Sequence, residues 1–306
     1  PAARVLTIPR FDRDPLRAMS ALQKLLREGG YAVAHSHMTT LSAFALRAAR
    51  RAGVPVRICH AHSTFDRRSD HYWIKAALRP FAAKDATCRM ACGRLAAQNL
   101  FRRRAKEAII LPNAIDLERF APDPLAKERL QLQGRNLLFV GRFAPQKNLH
   151  FLLDAFALAL QRRPMTLLLL GAGAGEKALR ERAARADLSG RVRFIPQGDP
   201  APWYAAADAF VLPSLYEGFP VVGLEAQAAG LPCLFSDKIT READVCGGAA
   251  FLPLDREAWA AAMAEDAPRL TDCAKRLQQA GYDIRQEAGR LREVYDRALQ
   301  SLVGEE

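Results

Sequence analysis

The sequence predicts an α/β protein with two doubly wound domains, of which the first is the smaller. Three observations lead to this prediction. The chain has 306 residues, which is enough for two domains of ordinary size. From about residue 16 onward, helical and strand patterns alternate, and such alternation favours parallel sheets with helices on both faces. Residues 113–134, with Pro122 and Pro124, have the composition of a linker between two alternating blocks.

The first block, residues 1–112, contains too few strands for a complete doubly wound domain. Its first helix is predicted at 15–28, where an amphipathic pattern ends at Gly29 and Gly30. An apolar stretch at 2–9 predicts a strand before this helix. The other strands are predicted at 31–35, 54–59, 87–91 and 108–111, and the other helices at 42–52, 73–83 and 94–103.

The second block, residues 135–283, has the pattern of a complete doubly wound domain of five or six strands. Its strands are predicted at 137–141, 166–171, 191–195, 209–213, 231–235 and 249–254. Its helices are predicted at 148–162, 176–186, 202–207, 221–229 and 256–264. A last helix at 284–302 dominates the terminal segment 284–306.

Composition excludes several classes of protein. Half of the residues are hydrophobic and a quarter are charged, which is typical of globular domains. No apolar run approaches the roughly 20 residues that a membrane-spanning helix needs. The six cysteines include no CxxC pair, so neither a disulfide framework nor a structural zinc site of the usual spacing is expected. Free thiols in a reducing cytoplasm are the simplest interpretation.

Positive charge is concentrated in the first block. Residues 1–112 carry 21 Lys and Arg against 7 Asp and Glu, so the whole net charge of +12 comes from this block. It includes Arg67-Arg68 and Arg102-Arg103-Arg104. Such asymmetry favours an anionic partner, either a membrane surface, a lipid phosphate or a nucleic acid. A merely solvated arginine-rich surface explains it equally well.

A basic loop follows the first strand of the second block. Gly141 and Arg142 come directly after this strand, and Lys147 immediately precedes the next helix. Ligands of open α/β sheets bind at the carboxyl ends of the strands, and a helix N-terminus attracts anions. Two exposed basic residues are common by themselves, but this position favours a site for a diphosphate.

The turn at 171–175, with the sequence Gly-Ala-Gly-Ala-Gly, also lies between a strand and a helix. Its spacing departs from the GxGxxG fingerprint of dinucleotide-binding proteins, and no Asp or Glu ends the following strand to hold a ribose. The glycines therefore predict close backbone packing beside a nucleotide pocket rather than a fingerprint of their own.

Two carboxylates bracket the start of a later helix. Glu217 lies in the turn after a strand, Pro220 fits the first helical turn, and Glu225 follows one turn later. One carboxylate there is usually only a favourable contact with the helix dipole. Two carboxylates at this spacing, in addition to the basic loop with Arg142 and Lys147, favour a shared functional cleft.

These clusters resemble the retaining glycosyltransferases of family 4. Three motifs of that family are matched: GR-x4-K by Gly141, Arg142 and Lys147, E-x7-E by Glu217 and Glu225, and G-x-P by Gly230, Leu231 and Pro232. The resemblance spans nearly the whole chain and is most specific across 137–237. It implies the GT-B fold of two Rossmann-like domains, with the donor bound mainly by the second and the acceptor mainly by the first. It also implies that the last helix packs back on the first domain.

The resemblance implies a role for each matching residue. Catalytic roles are implied for Glu217, which would contact the sugar, and for His62. Donor binding is implied for Gly141, Arg142, Lys147, Phe194, Pro196, Gly218, Phe219 and Glu225. Arg142 and Lys147 would hold the diphosphate, and Glu225 would bind the ribose hydroxyls. Gly218 and Phe219 would offer backbone amides, whereas Phe194 and Pro196 would flank the base.

Chemistry agrees with these roles, because the leaving group is a diphosphate and cations stabilise its developing charge. The sequence has no DxD-type metal pair, so neither a metal nor another cofactor is expected. The family pattern implies retention of anomeric configuration. The sequences at 226–233, 236–237 and 60–64 resemble those of bacterial exopolysaccharide and capsule transferases. This resemblance implies a uridine nucleotide-sugar donor, a glycan or lipid-linked acceptor, and a cytoplasmic protein that docks on the anionic inner membrane face.

Histidines support a rival interpretation. His35 and His37 form one His-x-His pair and His60 and His62 another, and alternation along a strand places the rings of each pair on one face. A zinc or iron hydrolase would use such pairs, with Asp66 or Asp70 as the nearby carboxylate. The family instead places a histidine here near the sugar; His62 matches best and His60 is the reserve. Ordinary strand-end histidines are the preferred interpretation of His35 and His37.

The family resemblance also implies an incomplete first domain. Members begin with a strand, a glycine-rich loop and further units, so about 60–80 residues are expected to be lacking relative to a normal domain. A nucleotide-sugar binding module without turnover is therefore one alternative. A nucleic-acid binder is another, but the basic block has no aromatic residues interleaved with its charges and no recognised fold, so no nucleic-acid partner is expected. Sugar epimerases of related fold match the paired motifs less well.

Overall fold

The computed structural model describes residues 4–63 and 71–303 of the chain. Two compact units are present, one made of Pro1–Asn113 together with Gln286–Glu306 and the other of Ala114–Arg285. Each unit is built around one sheet, and the strand pairings of the described residues are parallel in both. The predicted α/β class with two parallel sheets is therefore confirmed.

The first unit has a four-stranded sheet in the order β1-β2-β3-β4. Its elements are α1 (Pro15–Gly29), β1 (Val33–Ser36), α2 (Ser42–Arg51), β2 (Val56–Ala61), α3 (Tyr72–Ala82), β3 (Cys88–Ala91), α4 (Arg94–Phe101) and β4 (Ile109–Ile110). Helix α1 starts where predicted because Pro15 fits its first turn and the Asp14 carboxylate accepts from the Arg17 amide at 3.0 Å.

The predicted strand at 2–9 is wrong for the residues that the structure describes there, because 4–10 form no regular structure. Val5 is 95% exposed, and β1 stands at the edge of the sheet. Strand propensity measures how well side chains fit a half-buried pleated surface, so an apolar run without a neighbouring strand does not form one.

The second unit has six strands in the order β10-β9-β8-β5-β6-β7. Its elements are α5 (Ala126–Arg129), β5 (Arg135–Val140), α6 (Leu149–Arg162), β6 (Met165–Leu170), α7 (Glu176–Ala183), β7 (Val192–Ile195), α8 (Ala201–Ala206), β8 (Ala209–Leu212), α9 (Val221–Ala228), β9 (Cys233–Ser236), β10 (Ala249–Leu252), α10 (Arg256–Ala264) and α11 (Cys273–Gln279). The chain ends with α12 (Ile284–Val303). This strand order is that of the doubly wound fold, and it reverses between β5 and β8.

Residues 114–134, for which the sequence predicts a linker, belong to the second unit. Ile115, Leu117 and Phe120 are each at most 8% exposed and join its hydrophobic core. The short helix α5 lies in this segment, and Pro122 and Pro124 both precede it. The packed apolar residues come before the two prolines, so the prolines do not mark a free connection.

Helix α12 belongs to the first unit for most of its length. Val294 is buried with Val56 and Ile58 of β2, and Leu291 and Tyr295 pack around them. Alternation along β2 places this apolar row on one face of the sheet. The described helices include none that combines the length and the apolarity needed to cross a bilayer.

Two loops of the second unit pack backbone against backbone. The amide of Phe143 donates to the Ala172 carbonyl at 2.9 Å, so the loop after β5 lies alongside the turn after β6. A Cβ added to Gly171, whose φ is +148°, would meet the Gly141 carbonyl oxygen at 2.0 Å. A Cβ on Gly173 would meet the Phe143 backbone at 2.5 Å. The predicted close packing of this glycine-rich turn is confirmed.

Replacing Gly171 tests this packing. Gly171→Ala adds a methyl group where backbone already lies, at a φ that L-residues rarely adopt, so we expect a loss of at least about 2 kcal/mol in unfolding free energy. Gly198→Ala in the same unit is the control, since its Cβ would meet only one atom, at 3.9 Å. Urea unfolding of both variants measures the difference. Equal stability of the two would contradict the close contact.

Candidate functional site

The loops that follow β5 and β8 meet where the strand order reverses. The amide of Leu215 donates to the Gln146 carbonyl at 2.8 Å, and the Gln146 side chain donates to the Tyr216 carbonyl at 2.8 Å. In doubly wound sheets this reversal opens a crevice outside the carboxyl ends of the strands. The two clusters that the sequence singles out are thus held together at the position where such folds bind ligands.

Lys147 and Glu217 form an ion pair at this junction. The ammonium nitrogen lies 2.5 Å from one carboxylate oxygen, and Gln146 reaches the other oxygen at 3.4 Å. Both side chains are largely buried, with 16% of Lys147 and 10% of Glu217 exposed. Burial strengthens the attraction because water screens it less. The basic loop and the acidic motif therefore share one site.

Arg142 extends the positive side of the site. Its side chain is exposed, and among the described residues it makes no hydrogen bond or ion pair. Its position is set by Gly141, whose α-carbon faces Phe139 and the Lys147 side chain so closely that a Cβ would lie 3.2 Å and 3.5 Å from them. Arg142 can therefore meet an anion without giving up an internal partner.

The turn that leads into α9 contributes backbone amides. Gly218 is exposed and Phe219 half-buried, and no hydrogen bond within the described chain uses the amide of either residue. The Phe219 ring stacks on Tyr282, with centroids 5.5 Å apart and planes 15° apart, and this contact fixes the turn. These amides and the positive end of the α9 dipole can stabilise negative charge.

Glu225 occupies a second location, one turn into α9. The hydroxyl of the buried Tyr204 donates to its carboxylate at 2.9 Å. Burial raises the pKa of Glu225, and the Tyr204 hydrogen bond and the charge of Arg119 oppose this shift only in part. Within the described residues, no hydrogen bond or ion pair joins Glu225 to Lys147 or Glu217. The carboxylate is positioned for a ligand group other than the one nearest Lys147.

Two neighbours of Glu225 were missed from the sequence. Tyr204 comes from α8, and Arg119 comes from the segment predicted as a linker, where it pairs with Asp199 at 2.7 Å. A lone tyrosine in an apolar helix and an arginine near prolines carry no motif. Their convergence depends on the packing of distant segments.

Phe194 and Pro196 lie at the end of β7. Phe194 meets Phe143 edge to face at 6.1 Å, and the Arg180 guanidinium lies 4.4 Å from its ring centre. Pro196 is exposed. Since Phe143 belongs to the loop that carries Arg142, these residues border the same region as the basic loop. Arg180, on α7, was not expected from the sequence.

The two His-x-His pairs of the first unit converge. In the parallel register of β1 and β2, His35 lies opposite Ile58, so alternation places His35, His37, His60 and His62 on one face. Nε2 of His35 lies 3.1 Å from Nδ1 of His60, and Nδ1 of His37 lies 2.7 Å from Nε2 of His62. The sequence predicted each pair on one face but missed the cluster, which the strand register alone brings together.

Burial keeps the four imidazoles neutral. Burial, together with the neighbouring imidazoles, lowers the pKa of His35 to about 3 and that of His60 to about 2. Burial also lowers the pKa of His37 and His62, although the hydrogen bond from His62 to Asn113, at 3.0 Å, acts in the opposite direction. The cluster is therefore uncharged at neutral pH.

The carboxylates that the rival hydrolase would need, Asp66 and Asp70, lie outside the described residues. In the described part of the chain, no hydrogen bond or ion pair joins a carboxylate to the four imidazoles. Asn113 and Tyr295 are instead their polar partners, and Tyr295 contacts His35 at 2.7 Å. No described group is therefore placed as the general base of a hydrolase.

A cavity of about 700 Å³ also lies in the first unit. It is bordered by α1, α3 and the segment after β1. Most of its lining is apolar: Phe11, Met38, Leu41, Phe44, Ile74 and Leu78. Such a cavity suits an apolar ligand better than a charged one.

Comparisons with known families and proteins agree with the motifs. The model of glycosyl transferases group 1 matches residues 134–266, and that of glycosyltransferase family 4 matches residues 1–119. The candidate glycosyltransferase EpsF of Bacillus subtilis strain 168 is 35% identical over 317 residues, with 96% of this chain and 82% of that protein covered. The UDP-Gal:alpha-D-GlcNAc-diphosphoundecaprenol alpha-1,3-galactosyltransferase of Escherichia coli is 31% identical, with 77% of this chain and 67% of that protein covered.

Solved structures share the fold. HepE of Anabaena, solved with UDP-glucose, has a TM-score of 0.79 at 19% identity, with 96% of this chain and 85% of that one covered. Sucrose-phosphate synthase of Thermosynechococcus elongatus has a TM-score of 0.80 at 23% identity, with 98% and 82% covered. These similarities confirm the predicted GT-B fold.

The Lys147–Glu217 pair can be tested through stability. Lys147→Met leaves a largely buried carboxylate with one long contact, so we expect a loss of about 1–3 kcal/mol in unfolding free energy. Adding Glu217→Gln to that variant removes the unpaired charge and should restore part of the loss. Arg162→Met, which breaks the exposed pair with Glu257, is the control and should change stability by about 0.5 kcal/mol or less. Equal losses in urea unfolding of the two single variants would refute a buried pair.

Proposed function

This chain belongs to glycosyltransferase family 4, and we propose that it transfers a sugar from a UDP-sugar to a glycan or lipid-linked acceptor with retention of anomeric configuration. The observation that carries this proposal is the junction of the basic and acidic motifs at the reversal of the second sheet. Lys147 and Glu217 are in contact there, and Arg142, on the same loop as Lys147, has an exposed side chain with no hydrogen bond or ion pair to the described residues. Cationic and anionic groups at one crevice suit a diphosphate joined to a polyhydroxylated sugar.

The diphosphate end of the donor is assigned to Arg142 and Lys147. Cleavage of the sugar–phosphate bond leaves negative charge on the diphosphate, and prearranged cations lower the barrier by stabilising that charge. The amides of Gly218 and Phe219 and the start of α9 add dipoles of the same sign. We propose that these groups carry the leaving group without a metal or other cofactor.

The remaining site residues are assigned to the sugar and the nucleoside of the donor. Glu217 would accept hydrogen bonds from sugar hydroxyls, and Glu225 from the ribose. Phe194 and Pro196 would flank the base. The E. coli relative and the HepE structure are named with UDP-sugars, which supports uridine as the base.

His62 is assigned a catalytic role on the family resemblance. Its ring orientation is fixed, because Nδ1 faces the Asn113 oxygen and Nε2 faces His37. The Asn113 oxygen can only accept, so the His62 proton is placed on Nδ1. A histidine held in this way can orient a sugar hydroxyl while remaining neutral.

The acceptor is assigned to the first unit. The E. coli relative is named for a diphosphoundecaprenol-linked acceptor, and the apolar cavity of the first unit suits such a lipid. Helix α3 exposes 78% of Trp73 and 58% of Ile74 beside Lys75, a combination typical of surfaces that lie on anionic membranes. We therefore propose peripheral contact with the cytoplasmic membrane face.

Calorimetric titration with UDP, GDP and ADP, each with and without EDTA, tests the donor site. We expect UDP to bind most tightly and EDTA to have no effect on its affinity. Incubation with UDP-sugar and a lipid-linked acceptor, followed by NMR of the anomeric proton, then tests transfer and retention. Donor binding without product would support the alternative of a nucleotide-sugar binding module, and no binding of any nucleotide would refute the proposal.

Arg142→Ala should weaken UDP binding about 10- to 100-fold, the effect of losing one charge-assisted contact to phosphate. Binding of uridine, which has no phosphate, should hardly change. Arg185→Ala, at an exposed position just beyond the end of α7, is the matched control and should leave both affinities unchanged. Equal effects of the two substitutions would contradict the assignment of Arg142 to the diphosphate.

Glu225→Gln should affect the stability of the fold and the affinity for UDP in opposite directions. Because burial raises the pKa of Glu225, ionisation of this carboxylate disfavours the folded state, and its contribution to stability falls as the pH rises through the raised value. Glutamine cannot ionise and can still accept from Tyr204. At pH 7 the variant should be at least as stable as the native protein, and the difference should vanish below the ordinary pKa of 4.5.

The same substitution should lower UDP affinity about tenfold, since a neutral amide is a weaker partner for ribose hydroxyls. Urea unfolding at pH 7 and pH 4 and calorimetry at pH 7 provide the measurements. A large loss of stability at pH 7 would show that the carboxylate supports the fold instead of the ligand.

A further inference from the structure

The four-histidine cluster of the first unit has a geometry that its hydrogen bonds do not explain. The ring centres of adjacent imidazoles are between 4.0 and 5.2 Å apart. Each of His35, His37 and His60 offers one nitrogen such that all three atoms lie within 4.8 Å of one another. Three nitrogens bound to one zinc ion at about 2.0–2.1 Å lie about 3.3 Å apart. Only small ring movements separate the two arrangements.

His60 has an unmatched nitrogen in the middle of this cluster. The residue is 4% exposed, and its buried Nε2 has no hydrogen-bond partner among residues 4–63 and 71–303. Its Nδ1 faces Nε2 of His35, which in turn is held by Tyr295 through Nδ1. Whichever tautomer His60 adopts, a buried donor or acceptor stays unsatisfied, and such groups are rare in native proteins because they are costly.

His37 presents an available lone pair. Since His62 carries its proton on Nδ1, its Nε2 accepts from Nδ1 of His37 at 2.7 Å. The Nε2 of a neutral His37 is then unprotonated, and no hydrogen bond of the described residues uses it. The side chain is exposed, which gives a solvent path to the cluster.

We propose that His35, His37 and His60 bind one divalent transition-metal ion of the zinc class. Imidazole nitrogens suit such ions, and three of them leave one position of a tetrahedral site for water or another ligand. Tyr295 supports His35 from outside the ligand set, as is usual for metal-bound histidines. This proposal differs from the sequence-based expectation that the chain holds no metal, and it leaves the donor site of the second unit without one.

The ion would join the carboxyl ends of β1 and β2. His35 lies in β1, His37 directly follows that strand, and His60 lies near the end of β2, so one ion would fix two strand ends and the rings between them. It would also fix His37 and hence the ring of His62. The ion therefore has a structural and positioning role, and the donor site of the second unit binds UDP independently of it.

The test uses the full chain without a polyhistidine tag, stripped with a chelator and dialysed. We expect one Zn²⁺ per chain by elemental analysis after gel filtration, and a rise in melting temperature when Zn²⁺ is added. Co²⁺ in its place should give the visible absorption of a low-coordinate site. His37→Ala and His60→Ala should each weaken metal binding at least about tenfold. His150→Ala removes a histidine of α6 outside the cluster and should change nothing.

Each outcome decides the proposal. Failure of the stripped protein to take up Zn²⁺, or unchanged uptake by His37→Ala and His60→Ala, would overturn it. An equal loss in His150→Ala would mean adventitious binding and would overturn it too. His37→Ala removes an exposed ring and should stay folded by circular dichroism even if His60→Ala does not. UDP affinity should be native in His37→Ala, so failure of the metal site is distinguishable from failure of the donor site.

Discussion

The reversal of strand order between β5 and β8 is the constraint on which the second unit depends. Helices that follow neighbouring strands on either side of such a reversal pack on opposite faces, so the loops between them separate and leave a crevice. Hydrogen bonds from Gln146 and Leu215 then hold the two loops in register. Arg142, Lys147 and Glu217 are therefore placed by the topology of the sheet before any contact with a ligand.

Much of the fold was predictable because its elements are periodic. Buried strands such as β5 and β6 contain apolar runs of four residues that end at a glycine, and the long helices α6 and α12 have clear amphipathic patterns. Two kinds of element were not predictable. Residues 4–10 have strand-like composition without a neighbouring strand, and 114–134 contain prolines yet pack into a core. In both cases the outcome depends on tertiary partners that local sequence does not encode.

The candidate site likewise contains residues that the sequence predicts and residues that it does not. Gly141, Arg142, Lys147 and Glu217 could be predicted because each lies within a few residues of a strand end and forms part of a motif. Their mutual contact also follows from strand order. Tyr204 beside Glu225 and the convergence of two His-x-His pairs depend on helix packing and strand register. Contacts between single residues that are far apart in the sequence produce no periodic pattern from which they could be predicted.

If the donor diphosphate binds Lys147 as proposed, the Lys147–Glu217 ion pair also affects the pace of repeated turnover. A diphosphate at the ammonium competes with the Glu217 carboxylate, so part of the attraction is offset and the nucleotide is held less tightly than by an unpaired lysine. The same carboxylate re-forms the ion pair when the nucleotide dissociates, which shortens the residence time of the diphosphate product. In a transferase that must discharge a charged product each cycle, an internal competitor of this kind keeps the enzyme from being trapped by what it makes.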